Sequence, residues 1–174
     1  DGKGYTKAAN AVIARSREIA ELLPSELISE LINDKRHYEW LPVSLTETGP
    51  YKDVLFYFSS LLGIEVIRPE DLRSYFNDNH SFLENRDNDW LVRLYKLYET
   101  VPNIFSESNY RNILDAVIVR TASNRMVAPY RKSQSSYLPN VFLPSKKAMQ
   151  ADVEFVHPHL YEKCCLFYTS DAAD

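Results

Sequence analysis

Near residue 115 the spacing of apolar side chains switches from a helical to an extended period, and a chain that does this combines helices with a small sheet. Through residues 8–23 the apolar positions Ala9, Val12, Ile13, Ile19, Ala20 and Leu23 fall three to four apart, with Arg15, Arg17, Glu18 and Glu21 on the other face. That pattern predicts an amphipathic helix ended by Pro24. Ser25 stands at an N-cap position before a second stripe, Leu27, Ile28, Leu31 and Ile32, which Asn33-Asp34 stops. Trp40-Leu41-Pro42 reads as a buried extended anchor, and residues 46–50 as loop. A third helix is expected over 51–62, closed by Gly63 in the left-handed conformation. After a short extended link over 64–67, Pro69 opens a helix to about Phe76, with Glu70 and Asp71 at the positive end of its dipole. Asn79 or Ser81 opens a short turn holding Phe82 and Leu83. Asp87 then caps the strongest helical pattern of the chain, Trp90, Leu91, Leu94, Leu97, Tyr98 and Val101, which Pro102 closes.

Residues 116–121 form a continuous β-branched run, Ser123-Asn124 suits a tight turn because Asn tolerates positive φ, and 125–128 returns as the second strand of a hairpin. Residues 137–139 and 141–144 are short extended pieces whose prolines confine them to edges or bends. A last strand is expected over 153–156, before His157-Pro158-His159. The expected class is therefore α+β: a helical first two-thirds, residues 1–115, followed by a small antiparallel β unit, residues 116–164. The opening Asp1-Gly2-Lys3-Gly4 lacks a Met and enters a helical pattern at once, as an internal segment does. Residues 165–174 resemble the translated read-through of a sequencing-library adapter and are read as a non-native tail.

The 174 residues are 45% hydrophobic and 25% charged, enough for a core without disulfides or metals at this length. No apolar run approaches a membrane span and no signal-peptide pattern is present, so the expectation is a cytoplasmic protein with no membrane partner.

Only four glycines occur, at 2, 4, 49 and 63. A phosphate-cradling loop needs several close backbone approaches, so neither a dinucleotide fingerprint nor a Walker loop can be built from them. Charge is uneven: residues 116–151 carry Arg120, Arg125, Arg131, Lys132, Lys146 and Lys147 and no acid. Interleaved with Tyr130, Tyr137 and Phe142, this basic island suits phosphates by charge and bases by stacking. It equally suits docking on an acidic neighbouring domain.

His157 and His159 would share one face of a strand as half of a metal site. Pro158 between them spoils strand geometry, and no Cys/His pair stands at ligand spacing elsewhere, so both are expected to be structural. Adjacent Cys164-Cys165 suits neither a disulfide nor a catalytic thiol. The close carboxylates Asp87 and Asp89 are explained by their place at a helix start. No catalytic, cofactor-binding or metal residue is assigned, and the chain is expected not to be an enzyme. The six basic residues of 116–151 remain as candidate interface or phosphate contacts.

The order of landmarks adds a family reading. Residues Ala11-Val12-Ile13-Ala14-Arg15-Ser16-Arg17-Glu18, then Glu39-Trp40-Leu41-Pro42, then Leu62-Gly63-Ile64-Glu65-Val66-Ile67-Arg68-Pro69-Glu70-Asp71-Leu72 resemble the middle region of large bacterial sacsin-like, HSP90-type ATP-binding proteins. Phe82-Leu83-Glu84 with Asp89-Trp90-Leu91-Val92-Arg93-Leu94-Tyr95 is similar to that family's "FLE…DEW…FY" stretch. Val117-Ile118-Val119-Arg120-Thr121, Met126-Val127-Ala128-Pro129-Tyr130 and Tyr137-Leu138-Pro139 resemble its "IIRLEDG…VAPF…YLP" hairpin, with Ala122-Ser123-Asn124 in place of the acidic-Gly turn. Phe155-Val156-His157-Pro158 sits where the family has a "FPTV" segment. The resemblance covers residues 8–163. It implies an ATP-binding domain upstream of residue 1, so that ATP and Mg belong to the parent and no cofactor to this segment. The implied role is a non-catalytic scaffold or chaperone-like interdomain segment, with other domains of the parent and protein clients as partners. The alternative is a nucleic-acid-binding module that uses 116–151 within a defence-associated parent.

Overall fold

The computed structural model describes residues 10–41, 57–100, 117–128, 130–132, 137–142, 144 and 154–164. The expectations at 42–56, at Val101-Pro102, at Lys146 and Lys147 and over the tail 165–174 lie outside them. Two compact units divide the chain, residues 1–72 and residues 73–174. Helices and short strands are both present, including one antiparallel hairpin, so the class is α+β.

The first unit departs from the helical reading of 8–23. Ala11–Ala14 is a strand, β1, and the helix, α1, covers only Arg17–Leu22. All four β1 residues are buried, Ala11 at 4% exposure and Val12 at 0%. A helix with a polar face cannot bury four consecutive side chains, whereas a central strand covered on both faces does so. Its partners are β2, Glu39–Trp40, and β3, Glu65–Ile67, both parallel to it, in the order β2-β1-β3. Val12 is opposite Trp40 on one side and Glu65 on the other. The Arg15 N–H to Ile67 O and Leu41 N–H to Val12 O bonds, 2.9 and 2.8 Å, extend the ladders by a residue. The stretch 64–67, expected as a link, is thus a sheet strand. Ala11, Ile13 and Ile64 form the core beside this sheet, with Leu41, Phe58 and Val66 packed on it.

Local stop signals behave as their chemistry requires. Helix α2, Ser25–Ile32, begins after Pro24 in extended conformation, and Ser25 is its first helical residue instead of its cap. It ends at Asn33 with φ 56°, and Gly63 has φ 63°. Of the third expected helix, the described part is a single π-helical turn, Tyr57–Leu61. Trp40 is extended as expected and half-buried, and its Nε1–H donates to Leu23 O at 3.3 Å.

Between α2 and β2 the Asp34 carboxylate organises the chain. It accepts the Arg36 N–H at 3.0 Å, Arg36 Nε–H at 2.8 Å and the Tyr38 hydroxyl at 2.9 Å. The Arg36 guanidinium, then its backbone N–H and the Tyr38 hydroxyl, pull the Asp34 pKa from 3.8 to about 2. A carboxylate with a depressed folded pKa contributes stability that is complete above its ordinary value and lost as pH falls through the folded one. The gap in urea midpoint between wild type and Asp34→Asn, followed by Trp40 fluorescence, is therefore expected to shrink as pH falls from 5 to 2. A gap constant over that range contradicts the linkage.

Helix α3, Pro69–Asp78, spans the boundary between the units. In the second unit, α4, Ser81–Glu84, and α5, Asn88–Glu99, follow it. Asp87 caps α5 as expected, its carboxylate accepting the Trp90 N–H at 2.7 Å. Leu91, Val92, Leu94, Tyr95, Leu97 and Tyr98 are the buried stripe of α5. Phe76 stacks on Phe82, centroids 5.3 Å apart, and meets Trp90 edge-on at 5.9 Å, while the Arg86 guanidinium lies 4.0 Å from the Phe82 centroid. These contacts add attraction to the apolar burial.

The expected hairpin is formed by β4, Val119–Arg120, and β5, Met126–Val127, turning through Asn124 at φ 63°. Strands β6, Tyr130–Lys132, and β7, Tyr137–Pro139, pair antiparallel. β8, Val141–Phe142, and β9, Glu154–Phe155, pair in parallel, and Thr121 bridges Val156. Helix α6, Pro158–Lys163, follows, with Pro158 at its first position and Leu160 fully buried. The His157-Pro158-His159 step, which follows the strand expected over 153–156, is the start of this helix.

Candidate functional site

Of the six basic residues offered as a surface, the structure describes the side chains of two, Arg120 and Arg125. Arg120 points inward and is 6% exposed. Its Nη1–H donates to Asn88 Oδ1 at 2.9 Å, and its Nη2–H groups to Leu83 O at 2.9 Å and Glu84 O at 3.2 Å. Those two carbonyls close the short helix α4, whose last C=O groups have no helical partner. The arginine is thus the clamp between α4, the first turn of α5 and β4, and its expected role as an interface contact is corrected by its burial. A charge without water needs fixed dipoles around it, and these three acceptors supply them.

Arg125 stays at the surface but is paired. Its guanidinium hydrogen-bonds and ion-pairs with Glu154, which also accepts the Ser123 hydroxyl at 2.8 Å. Ser123, helped by Arg125, holds the Glu154 carboxyl below its usual range. This pairing fastens the hairpin turn to β9. Arg131 and Lys132 lie on β6, opposite Leu138 and Tyr137. Lys146 and Lys147 lie outside the described residues.

The polar constellation that the fold does assemble centres on two histidines. The His157 N–H donates to Arg120 O at 2.9 Å, and His157 Nδ1 accepts the His159 N–H at 3.3 Å, capping α6. The Asn88 amide nitrogen lies 3.2 Å from His157 Nε2. His159 Nε2 is 2.8 Å from Asp89 Oδ1. Asp87 and Asp89 therefore differ in role: the first caps its own helix, the second reaches α6. Burial, then the Arg120 guanidinium and His159, lower the His157 pKa from its ordinary 6.5.

Sequence reasoning placed these histidines as structural but assigned them no partners. One local signal was available, since a polar residue followed by Pro is the cap-then-first-position pattern of a helix start. Asn88 carried no signal, because its partners lie 32 and 69 residues away.

Tyr95 is enclosed and donates its hydroxyl to Ile118 O at 2.7 Å; burial, Cys164 beside it adding, raises its pKa far above the ordinary value. Cys164 is buried. Among the described residues, no three His, Cys, Asp or Glu side chains are grouped so as to hold a metal ion, and no helix is long and apolar enough to cross a membrane. Compared with protein-family models, curated proteins and solved structures, the chain matches none.

Proposed function

We propose that this chain is a non-catalytic scaffold or interdomain segment of a sacsin-like, HSP90-type ATP-binding protein of the cytoplasm, whose ATP-binding domain precedes it. One observation carries the reading beyond the order of landmarks. Among the described residues, the polar side chains of Arg120, His157, His159 and Asp89 each contact another element of the second unit. Tyr57 and Leu61 of the first unit, 49% and 68% exposed, suit a surface met by a neighbouring domain.

Two measurements test it. The reading frame extended upstream is expected to encode an ATP-binding domain, and the purified chain to show no ATP turnover. Turnover that disappears on replacing one of its own carboxylates overturns the proposal.

A nucleic-acid module built on 116–151 is the alternative, favoured by the run of six cations without an acid. Against it, Arg120 is internal and Arg125 is ion-paired. Phosphate-driven binding loses affinity steeply with salt, roughly in proportion to the phosphates contacted. The scaffold reading predicts no such salt-dependent complex with duplex or single-stranded DNA, and finding one selects the alternative.

A further inference from the structure

His157 joins three elements of the second unit at once. Its N–H is bonded to β4 through Arg120 O at 2.9 Å, its Nδ1 caps α6 by accepting the His159 N–H, and its Nε2 faces the Asn88 amide of α5 at 3.2 Å. The orientation of that amide is set from its far side. Asn88 Oδ1 accepts Arg120 Nη1–H at 2.9 Å, and a reversed amide would set donor against donor there.

Both ring nitrogens of His157 therefore meet N–H groups. A neutral imidazole keeps one acceptor lone pair, and an imidazolium keeps none. With Nδ1 accepting the His159 N–H, the neutral ring carries its proton on Nε2, and protonation removes the one acceptor it has, the one that caps α6. It also adds a positive charge beside Arg120, whose guanidinium is internal and whose described acceptors are the neutral groups of Asn88, Leu83 and Glu84.

We propose that His157 is a pH-sensitive latch: the neutral ring holds the first turn of helix α6 through its Nδ1 acceptor, and the protonated ring releases it. Release uncovers Leu160 and Cys164, both fully buried when the latch is closed. The device is independent of the scaffold role proposed above.

Among the described residues, the charged and titratable groups acting on the ring are Arg120 from β4 and His159 from α6, and Asp87 and Asp89 flank Asn88 at the start of α5. Asp87 is taken up by the Trp90 N–H. Asp89 faces His159, and protonating His159 strengthens that pair, which opposes release. The pair is open to water, with the Asp89 side chain 87% exposed, and such pairs contribute little.

A base whose folded pKa is depressed gives stability that is complete above its unfolded value and declines as pH falls through the folded one. For His157 the decline begins near the ordinary 6.5 and continues below it. This range lies above the ordinary carboxylate range.

The test is urea unfolding of the whole chain followed by Trp90 fluorescence at pH 7.5 and 5.5. Wild type is expected to lose midpoint on acidification. His157→Asn keeps an N-cap acceptor and cannot be protonated, so its midpoint is expected to change much less. His159→Gln is expected to keep the full wild-type loss or to enlarge it. A His157→Asn variant that loses as much as wild type overturns the proposal, as does a wild type that loses nothing. Should His157→Asn fail to fold, the His157 ring is titrated by NMR in wild type. A midpoint below the ordinary value that coincides with a shift of the Leu160 methyl signals supports the latch. A midpoint at or above the ordinary value, or unmoved Leu160 signals, overturns it.

Discussion

Replacing Ala14 with Glu is expected to unfold the first unit. Ala14 is 2% exposed, pairs with Ile67 across the parallel ladder and follows Ile13 at the end of β1. A carboxylate there has no room and no partner. An uncompensated buried charge costs about 3–5 kcal/mol, and overpacking a filled site adds about 1–3 kcal/mol. Small domains hold roughly 5–15 kcal/mol in all, so the change removes most or all of the unit's stability. The outcome also separates two structures for the same residues. In an amphipathic helix over 8–23, position 14 falls outside the apolar stripe and Glu there is close to neutral. Trp40 is the tryptophan of the first unit and Trp90 that of the second. A variant retaining only Trp40 therefore reports the first unit. A native-like urea midpoint for Ala14→Glu in that background restores the helical reading and refutes β1.

Arg120→Met is expected to destabilise the second unit by roughly 2–4 kcal/mol, because neutral acceptors lose a charged donor and each such bond contributes about 1.5–3 kcal/mol. Methionine retains most of the stem, so the loss is one of hydrogen bonding more than of packing. Glu84 O and Asn88 Oδ1 lose this donor, while Leu83 O still accepts the Arg86 N–H at 3.1 Å, and a buried acceptor left unmade costs about 1–3 kcal/mol. Exchanging a whole polar network for apolar groups is sometimes neutral, but here two acceptors are backbone carbonyls that no substitution removes. One effect works the other way. Arg120 Nε is buried without a partner among the described residues, and methionine relieves that. Arg120→Lys is expected to fall between the two, because an ammonium keeps the charge but cannot reproduce the planar fork that reaches three acceptors. Urea unfolding with Trp90 as the sole tryptophan measures both variants. A loss of under about 1 kcal/mol for Arg120→Met would show that the clamp is incidental.

What was legible in the sequence was local. Asn33, Gly63 and Asn124 all adopt positive φ, Pro69 opens a helix and Asp87 caps one. Each follows from the geometry and hydrogen-bonding capacity of a few consecutive residues, whatever surrounds them. The stripe of α5 and the β-branched run at the hairpin were legible for the same reason, since period depends only on the neighbours along the chain. Residues 11–14 were not. Val12 and Ile13 fit a helical stripe, the small Ala11 and Ala14 fit either face of a helix or a strand, and the choice is made by Trp40 and Glu65, 28 and 53 residues beyond Val12.

The same division holds for the candidate site. The sequence by itself determined that this chain combines helices with a hairpin, where several of its turns fall, and that one stretch carries cations without acids. Only the tertiary structure decided that Arg120 faces inward, that Arg125 is matched by Glu154, that His157 caps α6 and that His159 ties α6 to Asp89 of α5. A charge count is a property of composition. Whether a charge meets water or a carbonyl depends on residues far along the chain that only folding brings within 3 Å.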